Sequence, residues 1–254
     1  MYSVLEFFKI GIGPSSSHTI GPITASRKFV SFLKHKKVFG EVDSIKIELF
    51  GSLALTGEGH GTPIAIQLGL MNYAPDQVKQ QQLNEVDSLD GEIKLGGIRK
   101  IKFTHNDIIF NKKKKLPYHP NGIKFYAYTK NKEVATRMYY SIGGGFVVTE
   151  SNAKKNKVKT SKRKLTNEFS CAEELFTIAE NRNLKISDVV LENEKCFRKE
   201  KTTKTELRRI WRIMQECVDR GLTTQGMLPG TINVERRAAI MYENFLKNNE
   251  LDNQ

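Results

Sequence analysis

Along the first part of the chain, segments in which apolar residues recur at helical spacing alternate with a segment that has the two-residue period of a strand. Behind Pro22, a residue suited to the first turn of a helix, apolar side chains recur at helical spacing. Residues 43–50 alternate apolar and polar, which predicts a half-buried strand. A glycine-rich turn over residues 51–61 follows, and Thr62 is then the predicted N-cap of a second helix that runs to Leu70. The pattern thus predicts helices and strands in alternation.

The pattern changes to that of a sheet after residue 95. Four short runs with strand propensity are separated by Asn, Pro and Gly, and they cover residues 99–103, 107–110, 122–129 and 146–149. Together with the helices before them, these runs predict an α+β domain with a mixed sheet over residues 1–151.

Beyond a lysine-rich stretch at residues 152–165, which we predict to be a linker, the apolar spacing is helical. One predicted helix has Ser170 as its N-cap and another ends at Gly221; the four together cover residues 171–180, 187–195, 205–219 and 235–247. Four short helices that share a single tryptophan bury a thin core. Residues 166–254 are therefore predicted to form an incomplete all-α domain.

The composition narrows the class of protein. With 254 residues and 39% hydrophobic content, the chain can bury one large core, or one domain and part of a second. No segment approaches the run of about 18 apolar residues that a membrane span needs, and the N-terminus turns polar too soon for a signal peptide. We therefore expect a cytoplasmic protein without a membrane partner.

The three cysteines, Cys171, Cys196 and Cys217, are widely spaced and form no C-x2-C pair. Such a set is typical neither of a disulfide framework nor of a zinc or ferredoxin-type site. We predict reduced thiols and assign no metal ligand in this chain.

The net charge of +13 raises the possibility of a nucleic-acid partner. Much of the excess lies in two lysine-rich runs, residues 112–115 and 154–164. Neither run contains aromatic residues on which bases could stack, and neither fits a known docking motif. Solvated loops or a linker are the favoured interpretation, and nucleic-acid binding is kept as the weaker one.

The first of three histidine motifs is the loop from Gly11 to Thr19, just before the first helix. Three hydroxyls (Ser15, Ser16 and Ser17) and backbone N–H groups at a helix N-terminus can hold a carboxylate or phosphate. His18 can donate a hydrogen bond or carry a proton. The alternative is a Ser/Thr-rich cap with an exposed histidine, and the clustering of hydroxyls favours the anion site.

The second motif is Gly57-Glu-Gly-His-Gly-Thr62, again immediately before a helix. Its glycines allow the backbone to approach a ligand closely and leave His60 accessible. Taken alone, the motif is as compatible with a flexible turn as with a functional site. It lacks the Gly-Lys-Ser/Thr of a phosphate-binding P-loop.

The third motif is Leu116-Pro-Tyr-His-Pro-Asn-Gly122. Two prolines flank His119 and stiffen the loop, and Asn121 and Gly122 are turn residues before a strand. A simple connection between strands is the commoner explanation of such a segment.

Six motifs in order resemble the single-chain, iron–sulfur L-serine dehydratases. They are Ile10-Gly-Ile-Gly-Pro-Ser-Ser-Ser-His-Thr, Gly51-Ser-Leu-Ala-Leu-Thr-Gly-Glu-Gly-His-Gly-Thr, His119-Pro-Asn-Gly, Tyr140-Ser-Ile-Gly-Gly-Gly-Phe, Cys171-Ala-Glu-Glu-Leu, and Asp219-Arg-Gly-Leu through Leu228-Pro-Gly. The resemblance covers nearly the whole chain. It implies an N-terminal domain similar to allosteric substrate-binding domains, a lyase activity that converts L-serine to pyruvate and ammonia, and a tendency to form homodimers.

The resemblance also implies roles for individual residues. In this family a 4Fe–4S cluster held by three cysteines binds the substrate hydroxyl, and a base removes the α-proton. His60 becomes the first candidate for the base, with His18 as the second catalytic histidine and their division of labour left open. The implied substrate-binding residues are Ser15, Ser16, Ser17, Thr19, His119 and Asn121.

The chain departs from the family in one respect. The cluster-binding cysteine motifs of the helical half do not occur in it, so we expect this chain alone to ligate no 4Fe–4S cluster. We interpret it as a dehydratase whose cluster-binding half is absent from the sequence. A non-catalytic serine-binding or regulatory module is the second interpretation, and a basic nucleic-acid-binding protein is the third.

Overall fold

The computed structural model describes residues 3–87, 91–155, 164–228 and 234–251. The helices are α1 (Val4–Phe7), α2 (Gly21–His35), α3 (Ser52–Thr56), α4 (Thr62–Leu70), α5 (Gln80–Asp87), α6 (Glu150–Lys154), α7 (Ala172–Asn181), α8 (Ile186–Lys195), α9 (Glu200–Thr223) and α10 (Ala238–Leu251). The strands are β1 (Ser44–Phe50), β2 (Glu92–Leu95), β3 (Arg99–Lys102), β4 (Ile108–Asn111), β5 (Gly122–Thr129), β6 (Lys132–Ser141) and β7 (Val147–Thr149). None of the described helices is long and apolar enough to cross a membrane.

The chain divides into two compact units. One comprises Lys9–Val158 with Met227–Glu235, and the other comprises Met1–Phe8, Lys159–Gly226 and Arg236–Gln254. The first unit contains the sheet and the second is helical, so the predicted order of an α+β part followed by a helical part is confirmed. The predicted domain limits stay a prediction. Most of the proposed linker, residues 156–163, lies outside the described residues.

The sheet is mixed and has seven strands in the order β2-β3-β1-β5-β6-β7, with β4 also beside β1. β1 pairs antiparallel with β5 along its whole length, from Ser44 opposite Tyr128 to Phe50 opposite Gly122. On its other side it pairs in parallel with β4. β1 is thus the central strand, and its carboxyl end lies where the strand β5 begins.

The core lies between the sheet and the helices α2 and α4. The predicted alternation in β1 is observed, with Ile45, Ile47 and Leu49 fully buried. Phe29 of α2 is also fully buried and stacks on Phe125 of β5 with ring centroids 4.9 Å apart. Burial of such side chains contributes about 2 kcal/mol each, so this layer carries much of the unit's stability.

Two predicted helix N-caps are wrong. Thr62 is the first residue of α4 and not its N-cap: the cap residue is Gly61, in the left-handed region with φ +68°, and the Thr62 hydroxyl bonds elsewhere. Ser170 is likewise not the cap of α7, because Cys171 holds that position. In both helices, the residue just before the first helical residue has an extended or left-handed backbone. That backbone conformation sets where the helix begins, and the capping potential of a nearby side chain does not.

The helix α9 is longer than predicted and continues through Gly221 to Thr223. The helix α10 begins three residues later than predicted, at Ala238. The strands β2 and β6 were not predicted from the sequence. In β6 the alternation is irregular, since burial runs from exposed Lys132 to three consecutive buried residues at its end.

The helical unit is held partly by a buried ion pair. Glu194 of α8 is 3% exposed and accepts hydrogen bonds from Arg198, from the Ser3 hydroxyl and from the backbone N–H of Val4. Large apolar side chains such as Trp211 are exposed on this unit. Its described part therefore buries few apolar residues, as the sequence predicted.

Candidate active site

The serine-rich loop leads directly into α2. Residues Ser16–Ile20 form a π-helical turn, and Ser15 caps it by accepting a hydrogen bond from the backbone N–H of His18. This places the imidazole of His18 inward, where the residue is 8% exposed. Ser16 is exposed and points its hydroxyl at no protein acceptor among the described residues.

The ring of His18 lies between hydroxyl groups. Nδ1 is 2.9 Å from Ser17 Oγ and 3.4 Å from Ser15 Oγ, while Nε2 is 3.1 Å from Ser52 Oγ. Burial lowers the pKa of His18, the neighbouring His60 lowers it further, and hydrogen bonding to the backbone of Ser52 opposes them in part. The neutral imidazole is therefore favoured in the folded protein.

The second histidine loop determines which ring nitrogen of His60 carries the proton. His60 ends a 3-10 turn, and its Nδ1 lies 2.7 Å from the carbonyl oxygen of Thr56. Because a carbonyl oxygen can only accept, Nδ1 carries the proton and Nε2 is the basic nitrogen of the neutral ring. Nε2 receives no hydrogen bond from the residues that the structure describes. His60 therefore has the tautomer and the accessibility of a general base.

Two threonines bind these loops to each other. Thr19 donates to the carbonyl oxygen of His60 at 3.1 Å, and Thr62 donates to the carbonyl oxygen of His18 at 2.6 Å. The two imidazole rings lie with their centroids 4.8 Å apart. At this separation a positive charge on His60 opposes a charge on His18, which is one cause of the lowered pKa of His18.

The third histidine has the opposite tautomer. Nδ1 of His119 accepts a hydrogen bond from the backbone N–H of Asn121 at 3.1 Å, so the neutral ring carries its proton on Nε2. Burial lowers the pKa of His119. Asn121 is 7% exposed and donates to the carbonyl oxygen of Ser141, but its Oδ1 has no hydrogen-bond partner in the described part of the chain.

The third loop is attached to the other two at Ser52 and Ser141. The backbone N–H of Ser52 donates to the carbonyl oxygen of Pro120 at 3.2 Å, and the Ser141 hydroxyl donates to the carbonyl oxygen of Ser17 at 2.7 Å. Gly51 permits this approach: it has φ +54°, and a Cβ there would lie 2.2 Å from the Pro120 oxygen. All three predicted histidine motifs therefore meet in one place.

Two domain models of known families match the chain. The model described as serine dehydratase beta chain matches residues 3–152, and the model described as serine dehydratase alpha chain matches residues 181–251. The chain belongs to the serine dehydratase family.

Curated relatives agree with this assignment. An L-serine dehydratase of Streptomyces coelicolor is 43% identical over 242 residues, which cover 93% of this chain and 53% of the relative. An L-serine dehydratase of Haemophilus influenzae is 36% identical over 265 residues, covering 100% of this chain and 56% of the relative. The chain spans about half the length of the curated relatives it matches.

The residues predicted to bind the substrate do not all have the same surroundings in the site. Ser15, Ser17 and His18 form one hydrogen-bonded group, while Thr19 is buried and its hydroxyl is used by the His60 loop. The predicted substrate contacts of these residues and of His119 and Asn121 stay predictions. Sequence reasoning missed Ser52 and Ser141. Both lay within motifs quoted for the family resemblance, Gly51-Ser-Leu and Tyr140-Ser-Ile, but neither serine was singled out as a site residue.

The cysteines do not fit a cluster site. In the ranges that the structure describes, no three His, Cys, Asp or Glu side chains come together as metal ligands. Cys171 precedes α7, Cys196 follows α8 and Cys217 lies within α9, and two of them are exposed. That this chain ligates no cluster stays a prediction.

Proposed function

We propose that this chain supplies the proton-transferring part of an L-serine dehydratase, a lyase that converts L-serine to pyruvate and ammonia. The observation that carries the proposal is the tautomer of His60, whose basic Nε2 lies beside a neutral His18. The family membership and the relatives' names support L-serine as the small-molecule substrate. The reaction needs a base for the α-proton, and the site offers one.

In this proposal His60 Nε2 removes the α-proton of L-serine. The resulting imidazolium is stabilised because Nδ1–H remains bonded to the carbonyl oxygen of Thr56. The hydroxide then leaves, and the aminoacrylate hydrolyses to pyruvate and ammonia. Burial keeps His18 uncharged, so it does not oppose the charge that forms on His60.

The other motifs supply groups of the right polarity for an amino acid. The exposed hydroxyl of Ser16 can donate to the substrate carboxylate. The unpartnered, buried Oδ1 of Asn121 can accept from the substrate amino group, and a buried acceptor gains most from such a bond. The serine-rich loop and the HPNG loop thus bind opposite ends of the same small molecule.

The 4Fe–4S cluster of the family would activate the leaving hydroxyl, and we place its ligands in the part of the relatives beyond the matched region. The homodimer, the cytoplasmic location and the absence of nucleic-acid and membrane partners stay predictions.

The test uses a fusion of this chain to the part of the Streptomyces coelicolor relative that lies beyond the alignment. After anaerobic reconstitution, we expect pyruvate formation from L-serine. His60→Gln should lower kcat by about 100-fold or more, the usual contribution of a general base. The matched control is His35→Gln, in the exposed last turn of α2, which should leave kcat unchanged.

Two results would contradict the proposal. One is a His60→Gln fusion that turns over as fast as the unsubstituted fusion. The other is a fusion that binds iron and L-serine but forms no pyruvate, which would favour the serine-binding regulatory module.

A further inference from the structure

Ser52 lies at the junction of all three histidine loops. It follows Gly51 at the end of β1 and begins α3. Its hydroxyl oxygen is 3.1 Å from His18 Nε2, and its backbone N–H donates to the Pro120 carbonyl oxygen. One residue therefore contacts His18 with its side chain and the HPNG loop with its backbone.

The protonation of His18 is coupled to the two hydroxyls on the other side of the ring, those of Ser15 and Ser17. Ser15 Oγ accepts the backbone N–H of His18, and its own hydrogen can be donated to Ser17 Oγ at 3.3 Å or to His18 Nδ1 at 3.4 Å. Ser17 Oγ lies 2.9 Å from the same Nδ1. In the described part of the chain these two hydroxyls have no carbonyl or carboxylate acceptor.

When Ser15 donates to Ser17 and Ser17 donates to Nδ1 of His18, that nitrogen accepts. Nδ1 of the neutral His18 ring is then unprotonated, and Nε2 carries the hydrogen. The atom placed to accept that hydrogen is Ser52 Oγ. In this arrangement the donors run in one direction, from Ser15 through Ser17 and His18 to Ser52.

We infer that Ser52 is a positioning residue that holds His18 in its Nε2–H tautomer while anchoring the HPNG loop through its backbone. In that tautomer His18 turns no basic nitrogen toward Ser52, and His60 is left as the base of the pair. The effect on catalysis rests on the proposed function, whereas the tautomer itself does not.

The experiment records long-range ¹H–¹⁵N correlations of the imidazoles in the full chain at pH 8, without iron or substrate. We expect the Nε2–H form for His18 and the Nδ1–H form for His60. Ser52→Ala should convert His18 to a mixture of tautomers, and Ser52→Thr, which restores a hydroxyl, should return it to Nε2–H. Ser31→Ala is the matched control, since that hydroxyl is exposed and bonds only within α2.

An Nδ1–H tautomer of His18 in the unsubstituted chain would overturn the inference, even if the Ser52 variants failed to fold. So would a Ser52→Ala spectrum identical to that of the unsubstituted chain. In the active fusion, Ser52→Ala should lower kcat by about tenfold to 100-fold, as misplaced catalytic groups do, with a change in the pH profile. An inactive fusion with the expected tautomers would reject the proposed function and leave this inference standing.

Discussion

The hydroxyl of Thr62 donates a 2.6 Å hydrogen bond to the backbone carbonyl oxygen of His18, and Thr19 donates in return to the carbonyl oxygen of His60. Thr62, which follows His60, thus fixes the loop of His18, and Thr19, which follows His18, fixes the loop of His60. Both threonines are fully or almost fully buried, so neither bond is exchanged readily for a bond to water. The spacing of the two imidazoles depends on this reciprocal pair.

Thr62→Val is expected to destabilise the α+β unit by about 1–3 kcal/mol, because it leaves the buried carbonyl of His18 without its donor. Urea unfolding followed by circular dichroism measures the change. Thr177→Val, at an exposed position of α7 where the hydroxyl bonds within the helix, is the control and should cost less than about 0.5 kcal/mol. Equal effects of the two substitutions would show that the Thr62 bond does not hold the loops together.

Gly21 and Gly221 should respond in opposite ways to alanine. A Cβ at Gly21 would lie 1.9 Å from Ser141 Oγ, the hydroxyl that bonds the Ser17 carbonyl, so Gly21→Ala should cost about 1–3 kcal/mol. A Cβ at Gly221, inside α9, meets nothing within 4 Å. Gly221→Ala should therefore stabilise that helix by about 0.5–1 kcal/mol. Thermal unfolding of both variants checks the prediction, and a stable Gly21→Ala protein would contradict it.

The stability should fall when the pH drops below the ordinary histidine pKa. His18 has a pKa lowered mainly by burial, so the unfolded chain binds its proton more tightly than the folded chain does. Its stabilising contribution is complete above about pH 6.5, the ordinary histidine value, and is lost as the pH falls through the lowered pKa of the folded state. His119 contributes in the same direction.

This pH dependence is measured by urea unfolding between pH 8 and pH 5. Each unit of lowered pKa corresponds to about 1.4 kcal/mol of lost stability at low pH. His18→Gln should flatten the curve, whereas His35→Gln should follow the unsubstituted protein. If the stability of the His18→Gln variant fell as steeply with pH as that of the unsubstituted chain, His18 would not be the source of the pH dependence.

Glu194→Gln should destabilise the helical unit. It leaves the partly buried Arg198 without its carboxylate and weakens the bonds from Ser3 and Val4. Removing one partner of a buried pair costs about 3–5 kcal/mol, and the 26% exposure of Arg198 puts the expected loss at the lower end. Hydrogen exchange should show faster exchange at Val4, and the exposed Glu173→Gln should show no such change. Unchanged exchange in both variants would contradict the prediction.

The sequence predicted well where one local period governs an element. The limits of β5 agree with the predicted residues 122–129, and those of β1 differ by one residue, because regular strand patterns are visible locally. The strand β6 was not predicted because its buried residues do not alternate regularly with exposed ones; which of them are buried depends on its pairing with β5 and β7. The extension of α9 past Gly221 was missed because a single glycine costs a long helix only about 1 kcal/mol.

The sequence by itself determined the class of fold, the three histidine motifs and the family they resemble. These follow from residue types at short spacing, which one segment of chain carries alone. Only the tertiary structure decided which ring nitrogen of His60 is basic and that Thr19 bonds the loop of His60. It alone also showed that Ser52 contacts His18 and that Ser141 bonds the serine-rich loop. The bond from His60 to Thr56 spans only four residues, but it needs the 3-10 turn at Glu58–His60, which no regular period in the sequence predicts. The other bonds join residues 34 to 124 positions apart, so their geometry exists only once distant segments are packed together.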